Sequence, residues 1–165
     1  MGPVPEGTVS QPITNEDVKH LIHEWGRLHN DHASLSAFLP IIAEEGFEIR
    51  FGDVVLKGYA GLEEHQEIKR QFFDESHIYN SIDVKVSDGQ AEAKSVVQWE
   101  ASVRDASAPR STRIKAVIHH SWLIARSSKT GKPVIVQHVV DSFKYLPGFE
   151  PPAPAKPAPH LDLPK

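Results

Sequence analysis

His120 and Asp141 are the residues of this chain whose types and placement best suit acid–base chemistry. Alternating apolar positions predict one strand over 113–126 and another over 133–145, joined by a turn at 127–132 that contains Gly131. Closing that turn as a hairpin sets His120 opposite Val139 and Ile118 opposite Asp141. His120 and Asp141 then become diagonal neighbours on one sheet face. Trp122 and Gln137 share that face, and Trp99 joins it if the preceding hairpin is centred near Ala108. In such a pair the carboxylate orients the ring and raises its basicity, and the imidazole moves protons near neutral pH. The same residues also fit a satisfied core histidine and a carboxylate that closes a strand end. A one-residue slip would substitute His119 for His120 on that face.

A second group lies on the first helix. Trp25, His29 and His32 fall on one stripe, which makes His32 a candidate acid/base or hydrogen-bond donor at the end of an apolar face. A frayed, solvated helix end fits His32 as well. Asp31 precedes the next helix and reads as its cap rather than as a catalytic group. Tyr59, between Gly58 and Gly61, is either a hydrogen-bonding lid residue or packing. Trp25, Trp99 and Trp122 supply core, substrate-binding surface, or both.

The chain holds 10 His and no Cys, so disulfides, thiol nucleophiles and thiolate metal sites are excluded. The His residues are dispersed. His20/His23 and His29/His32 are pairs three apart, and the neighbours His119 and His120 point to opposite faces of a strand. A zinc site needs three or four convergent ligands, so no metal and no other cofactor is expected. There is no phosphate-binding glycine loop and no serine nucleophile elbow, and Lys57 and Lys115 have no desolvating context for Schiff-base chemistry.

The elements that must position these groups follow from periodicity. Thr14 and Asp17 form an acidic variant of the capping box, and Val18, Leu21, Ile22, Trp25 and Leu28 give one apolar helical face. A second helix is expected over 33–44, kinked or split at Pro40. Short strands are expected at 47–51 and 54–57, a third helix over 62–74, and then four long strands. The first of these ends at Asp88-Gly89, a strong hairpin signal. Of 165 residues and 13 Pro, three Pro lie in 1–13 and seven in 147–165. The expected organisation is a flexible lead at 1–13, one domain at 14–148 and a Pro/Ala-rich disordered tail at 149–165. A net charge of −4 without a basic block argues against nucleic acid. No apolar run spans a membrane and the first residues lack a secretory pattern, so a cytoplasmic location is expected.

Early helices and late strands give an α+β fold. The layout resembles the nuclear transport factor 2-like superfamily, in its SnoaL-like branch of polyketide cyclases, ketosteroid isomerases and related dehydratases. The resemblance covers about residues 17–148. It rests on the order and spacing of Asn30-Asp31-His32, Gly58-Tyr59-Ala60-Gly61, His120-Ser121-Trp122, Gly131-Lys132-Pro133-Val134-Ile135 and Val140-Asp141-Ser142-Phe143. It implies a cone-shaped, curved mixed or antiparallel sheet with three helices on its concave side, an apolar pocket, and a homodimer through the sheet's outer face. Asp141 also falls where some SnoaL-like cyclases place an acid/base Asp. The implied function is a cofactor-independent isomerase, cyclase or dehydratase acting on a small-to-medium apolar, polyketide- or terpenoid-like molecule. His120, Asp141 and His32 would carry proton transfer; Trp25, Tyr59, Trp99, Trp122 and Gln137 would bind substrate. Two alternatives share the fold: a non-catalytic ligand-binding or assembly module, and an epoxide-hydrolase-like Arg–Asp water-activating set drawn from Arg50, Asp53 and Asp141.

Overall fold

A computed structural model describes residues 12–104 and 109–149. Three helices pack on one six-stranded mixed sheet that does not close. Helix α1 spans Asn15–Asn30, α2 Leu35–Phe38 with a 3₁₀ turn at Leu39–Ile41, and α3 Gly58–Lys69. The strands are β1 (Glu48–Phe51), β2 (Val54–Lys57), β3 (Phe72–Ser87), β4 (Gln90–Val103), β5 (Thr112–Arg126) and β6 (Pro133–Tyr145). Their order in the sheet is β2-β1-β6-β5-β4-β3. Among the described strands, β1 and β6 pair in parallel and the other neighbours are antiparallel; an isolated parallel bridge joins Ile42 to Ile135.

Helix α1 starts where its sequence signals it. Thr14 Oγ1 accepts from the Asp17 N–H, and Asp17 returns a bond to the Thr14 N–H, both at 3.0 Å. Its apolar stripe is buried to 4% exposure or less at Val18, Leu21, Ile22, Trp25 and Leu28. Each such side chain contributes roughly 1.5–3 kcal/mol of transfer free energy, which explains why this helix anchors the sheet. The helix approaches β3 closely at Gly26, where a Cβ would lie 3.0 Å from the Tyr79 ring. Gly61 does the same for α3: a Cβ there would sit 2.5 Å from the Leu56 backbone.

Several expected boundaries shift. The expected helix at 33–44 reduces to a four-residue α2 and a 3₁₀ turn, because Pro40 lacks the N–H that an α-helical continuation needs. Helix α3 ends at Lys69, not near Asp74. Phe72 already lies in β3, its ring edge-on to Trp99 at 4.9 Å. Asp31 closes α1 instead of capping α2, and its carboxylate pairs with Arg27 at 3.1 Å. The expected lead and tail lie outside the described residues, apart from Pro12, Ile13 and Phe149; Ile13 is buried in the core.

The β5–β6 register carries the main correction. Near the turn, Arg126 pairs with Pro133 and Ile124 with Ile135, as the hairpin reading requires. Leu123 then pairs with Gln137, so Val136 is an extra residue on β6. A second irregularity follows, with His120 opposite Val140 and His119 opposite Ser142, so Asp141 is extra as well. Two bulges therefore re-sort β6: His138 turns inward beside Trp122, while Gln137 and Asp141 turn to the outer face.

Candidate active site

Strand β4 alternates strictly, and its odd positions Ala91, Ala93, Ser95, Val97, Trp99, Ala101 and Val103 face the core. Across from it, β5 turns Ile114, Ala116, Ile118, His120, Trp122 and Ile124 inward. His120 and Trp122 meet His138 of β6, with ring centroids 4.4 and 4.3 Å from it. From α1, Trp25 packs on His138 at 5.0 Å and on His29 at 4.7 Å. His65 of α3 lies 5.3 Å from His29. His77 enters from β3, 6.2 Å from His29. Five imidazoles thus share one interior.

Burial dominates their titration, because the charged form loses its hydration. It pushes His65 and His120 down to about 3, with the Lys69 ammonium acting in the same direction. His29, His77 and His138 are held well below the ordinary imidazole value for the same first reason. All five are neutral at pH 7. His29 is a satisfied core histidine: its Nδ1 donates to the Trp25 carbonyl at 2.9 Å, and its Nε2 accepts from Gln66 at 3.2 Å. The others differ. Nδ1 of His65, His120 and His138, the Tyr79 hydroxyl and Glu75 Oε2 are buried with no hydrogen-bond partner among the described residues.

Glu75 and His77 occupy successive inward positions of β3. A bulge between Phe73 and Ser76, with Asp74 at φ +52°, turns the Glu75 carboxylate inside, where its side chain is 1% exposed. Oε1 accepts from Lys69 Nζ at 2.6 Å and from Trp99 Nε1 at 2.9 Å. Lys69 is itself held over the Trp99 ring, 4.7 Å from its centroid. Oε2 lies 3.3 Å from His32 Nε2, a close contact without hydrogen-bond alignment. His77 Nδ1 lies 2.6 Å from the Asn30 side-chain amide at the end of α1. Asn30, Lys69, Glu75, His77 and Trp99 therefore form one polar cluster beside the buried histidines.

The residues singled out by sequence separate into three groups. Trp25, Trp99, Trp122 and His120 line the interior; Trp122 Nε1 donates to Ser95 Oγ at 2.8 Å. His32 is not on the helical stripe. It follows the end of α1 at φ +50° with a 41% exposed side chain, and reaches the cluster only through Glu75. Asp141, Gln137 and Tyr59 are elsewhere. Asp141 is exposed on the outer face and accepts from Ser121 Oγ at 2.5 Å, so it is not the neighbour of His120. Gln137 donates to Glu48 at 3.2 Å, and Tyr59 is 50% exposed in the first turn of α3. Arg50 points out with a 47% exposed side chain paired to Glu48, and Asp53 is an exposed turn residue. The proposed Arg–Asp water set is not assembled. Sequence reasoning missed Glu75, His77, His138, His65, Lys69 and Asn30. The alternation of Glu75, His77 and Tyr79 was a usable signal for β3, obscured because 72–74 read as the end of a helix. Among the described residues, no three His, Asp or Glu side chains are arranged to hold a metal ion.

This chain has the nuclear transport factor 2-like fold. It superimposes on a superfamily member from Salmonella enterica at a TM-score of 0.66, with 11% identity over 82% of this chain and 92% of that one. A proposed dehydratase of the same family from Streptomyces avermitilis gives 0.64, with 11% identity over 76% and 93%. Hexachlorocyclohexane dehydrochlorinase LinA-type3 from Novosphingobium barchaimii gives 0.61, with 16% identity over 83% and 94%. No protein-family model and no curated protein sequence matches the chain. Among the described residues, no helix is long and apolar enough to cross a membrane.

Proposed function

We propose that the protein is a cofactor-independent enzyme that moves a proton on a small-to-medium apolar, carbonyl-bearing molecule, as in isomerisation, cyclisation or dehydration. The observation that carries this reading is the placement, on successive inward positions of β3, of a buried carboxylate with one oxygen outside any hydrogen bond, Glu75, and an oriented imidazole, His77. Glu75 Oε2 is the candidate base, and His77 the partner that works on the oxygen of the same substrate. Lys69 and Trp99 hold the carboxylate from its other oxygen, which fixes its direction. His32 stands at the outer edge of this pair. His120 and His138 present unpaired Nδ1 atoms deeper inside, beside Trp25 and Trp122, where they would bind substrate polar groups. Buried polar atoms in native proteins are almost always satisfied by protein, water or ligand, so five orphans in one interior support an occupant of mixed polarity. The fold neighbours named as a dehydratase and a dehydrochlorinase are compatible with such chemistry.

Proton abstraction is readable without knowing the full reaction. Incubating the protein in D₂O with a panel of enolisable cyclic ketones, 1-tetralone included, should give deuterium at the α-carbon by proton NMR. Glu75→Gln and His77→Gln should each lower the exchange rate by roughly 10²-fold, with thermal melts confirming that both variants fold. Unchanged exchange in both variants would overturn the assignment. Binding without exchange across the panel would favour the ligand-binding module instead.

A further inference from the structure

The neighbours of Asn30 decide which way its amide points. Three groups surround it: the Gly26 carbonyl, the Glu75 carbonyl and His77 Nδ1. The two carbonyls only accept. With the amide oxygen toward them, only a His77 Nδ1–H could donate to it, and both carbonyls would face an oxygen in a half-buried site with no proton to share. With the amide nitrogen toward them, it lies 3.3 Å from Gly26 O, 3.2 Å from Glu75 O and 2.6 Å from His77 Nδ1. An amide nitrogen is a donor only, so His77 Nδ1 must be the acceptor. A neutral imidazole that accepts at Nδ1 carries its single proton on Nε2. The helix end supplies the rest of the constraint. Gly26 O is a carbonyl of α1's own last turns, so Asn30 is clamped to the helix it terminates as well as to β3. A carboxylate in its place would face the same two carbonyls with nothing to donate to them.

We propose that Asn30 is a positioning residue that holds His77 as an Nε2–H donor, and that the site therefore selects substrates presenting a neutral oxygen acceptor, such as a ketone. This rests on the proton-transfer reading above and divides its labour. Glu75 takes the proton from carbon, and His77 donates a hydrogen bond to the carbonyl oxygen on which negative charge develops. No covalent bond to the protein forms, and the proton that Glu75 accepts is returned to the product. Nε2 of His77 has no hydrogen-bond partner among the described residues, which leaves it available to the ligand. His29 makes the contrast within the same interior: its Nδ1 faces a carbonyl, so it carries its proton on Nδ1, and its Nε2 is already occupied by Gln66.

The test reads the tautomer directly. Long-range proton–nitrogen NMR of the ¹⁵N-labelled full chain at pH 7, free of ligand, should show His77 with an unprotonated Nδ1 and a protonated Nε2. The opposite tautomer would overturn the proposal even if ketone exchange were observed, and the expected tautomer would stand even if no ketone exchanged. In Asn30→Asp, the proton should move to Nδ1, to face the new carboxylate; retention on Nε2 would show that Asn30 does not set it. Should that variant fail to fold, the wild-type spectrum still decides. Addition of 1-tetralone should shift the His77 Nε2–H resonance, whereas tetralin, which lacks the oxygen, should leave it in place. Equal shifts from both would overturn the claim that this donor selects oxygen.

Discussion

His119 and His120 are adjacent in sequence and occupy opposite sides of β5, and the two faces they belong to differ in almost every physical respect. On the inner face, His120 is 7% exposed, packs on His138 and Trp122, and leaves a ring nitrogen unpaired. On the outer face, His119 is exposed beside Ser121, Asp141 and Lys94, where Lys94 donates to Ser121 at 3.0 Å and Ser121 donates to Asp141. A cleft of about 440 Å³ opens beside them, lined by Ser81, Asp83, Lys94, His119, Asp141 and Ser142, and its wall also reaches Ser95 and His120. The outer polar groups reach solvent, and Lys94, Ser121 and Asp141 are hydrogen-bonded to one another. The inner ones have low dielectric, aromatic walls and missing partners, which is where pKa values move and substrates gain from polar contacts. The lesson is that the chemistry follows the face, and the face of each β6 residue follows the bulges.

Acid stability should separate the two faces most strongly. Unfolded imidazoles titrate near 6.5, whereas burial keeps five inner histidines well below that in the folded protein. The unfolded chain therefore binds more protons below pH 6.5. Stability is complete above that pH and falls as pH drops from 6.5 toward the folded values, by up to about 1.4 kcal/mol per pH unit for each group. Five such groups are enough to exhaust an ordinary domain stability of about 5–15 kcal/mol within a few pH units. Urea midpoints measured between pH 7.5 and 4.5 should fall steeply. His120→Gln should flatten the slope, and His119→Gln should leave it unchanged. A flat profile for the wild type would show that the inner face is as hydrated as the outer one.

Neighbouring truncations on β5 sharpen the same contrast at lower amplitude. Trp122→Ala removes an indole that packs on Trp25, His120 and His138 and donates to Ser95. It should cost about 3–5 kcal/mol in denaturant unfolding. Ser121→Ala, one residue away, removes hydrogen bonds at an outer, solvated position, and should cost about 0.5–1 kcal/mol. Comparable losses would mean that the outer network is buried under another surface in solution.

Much of the fold is legible in the sequence, for local reasons. The capping box of α1, its apolar stripe, the Asp88-Gly89 turn and the strict alternation of β4 are local signals that tertiary packing did not overrule. The inner positions of His120, Trp25, Trp99 and Trp122 follow from them. The site was less legible because it depends on irregularities. Val136 is inserted within a run of strand formers, so nothing in residue type marks the first bulge, whereas at the second the extra residue is Asp141, a type depleted in strands. The turn at Asp74 was masked differently: Asp tolerates its φ of +52° and carries Glu75 inward, but Phe72-Phe73 before it continue a helical pattern. His138 was hidden because its place opposite Trp122, on the inner face, depends on counting Val136, a residue that pairs with nothing.

Asp141→Asn should have the smallest effect, and for that reason it bears most directly on the register. Asn keeps the oxygen that accepts from Ser121 and loses a charge at an exposed position, so stability should change by no more than about 0.5 kcal/mol. Deuterium exchange into the ketone panel should be unchanged, because the carboxylate lies across the sheet from His120, Glu75 and His77. If the hairpin ran without its two bulges, Asp141 would face inward beside His120, and the same substitution would remove the partner of that imidazole and with it most of the exchange. A large loss of exchange at unchanged stability would therefore restore the unbulged register. Retained exchange, together with its loss in Glu75→Gln, would assign the working carboxylate to β3.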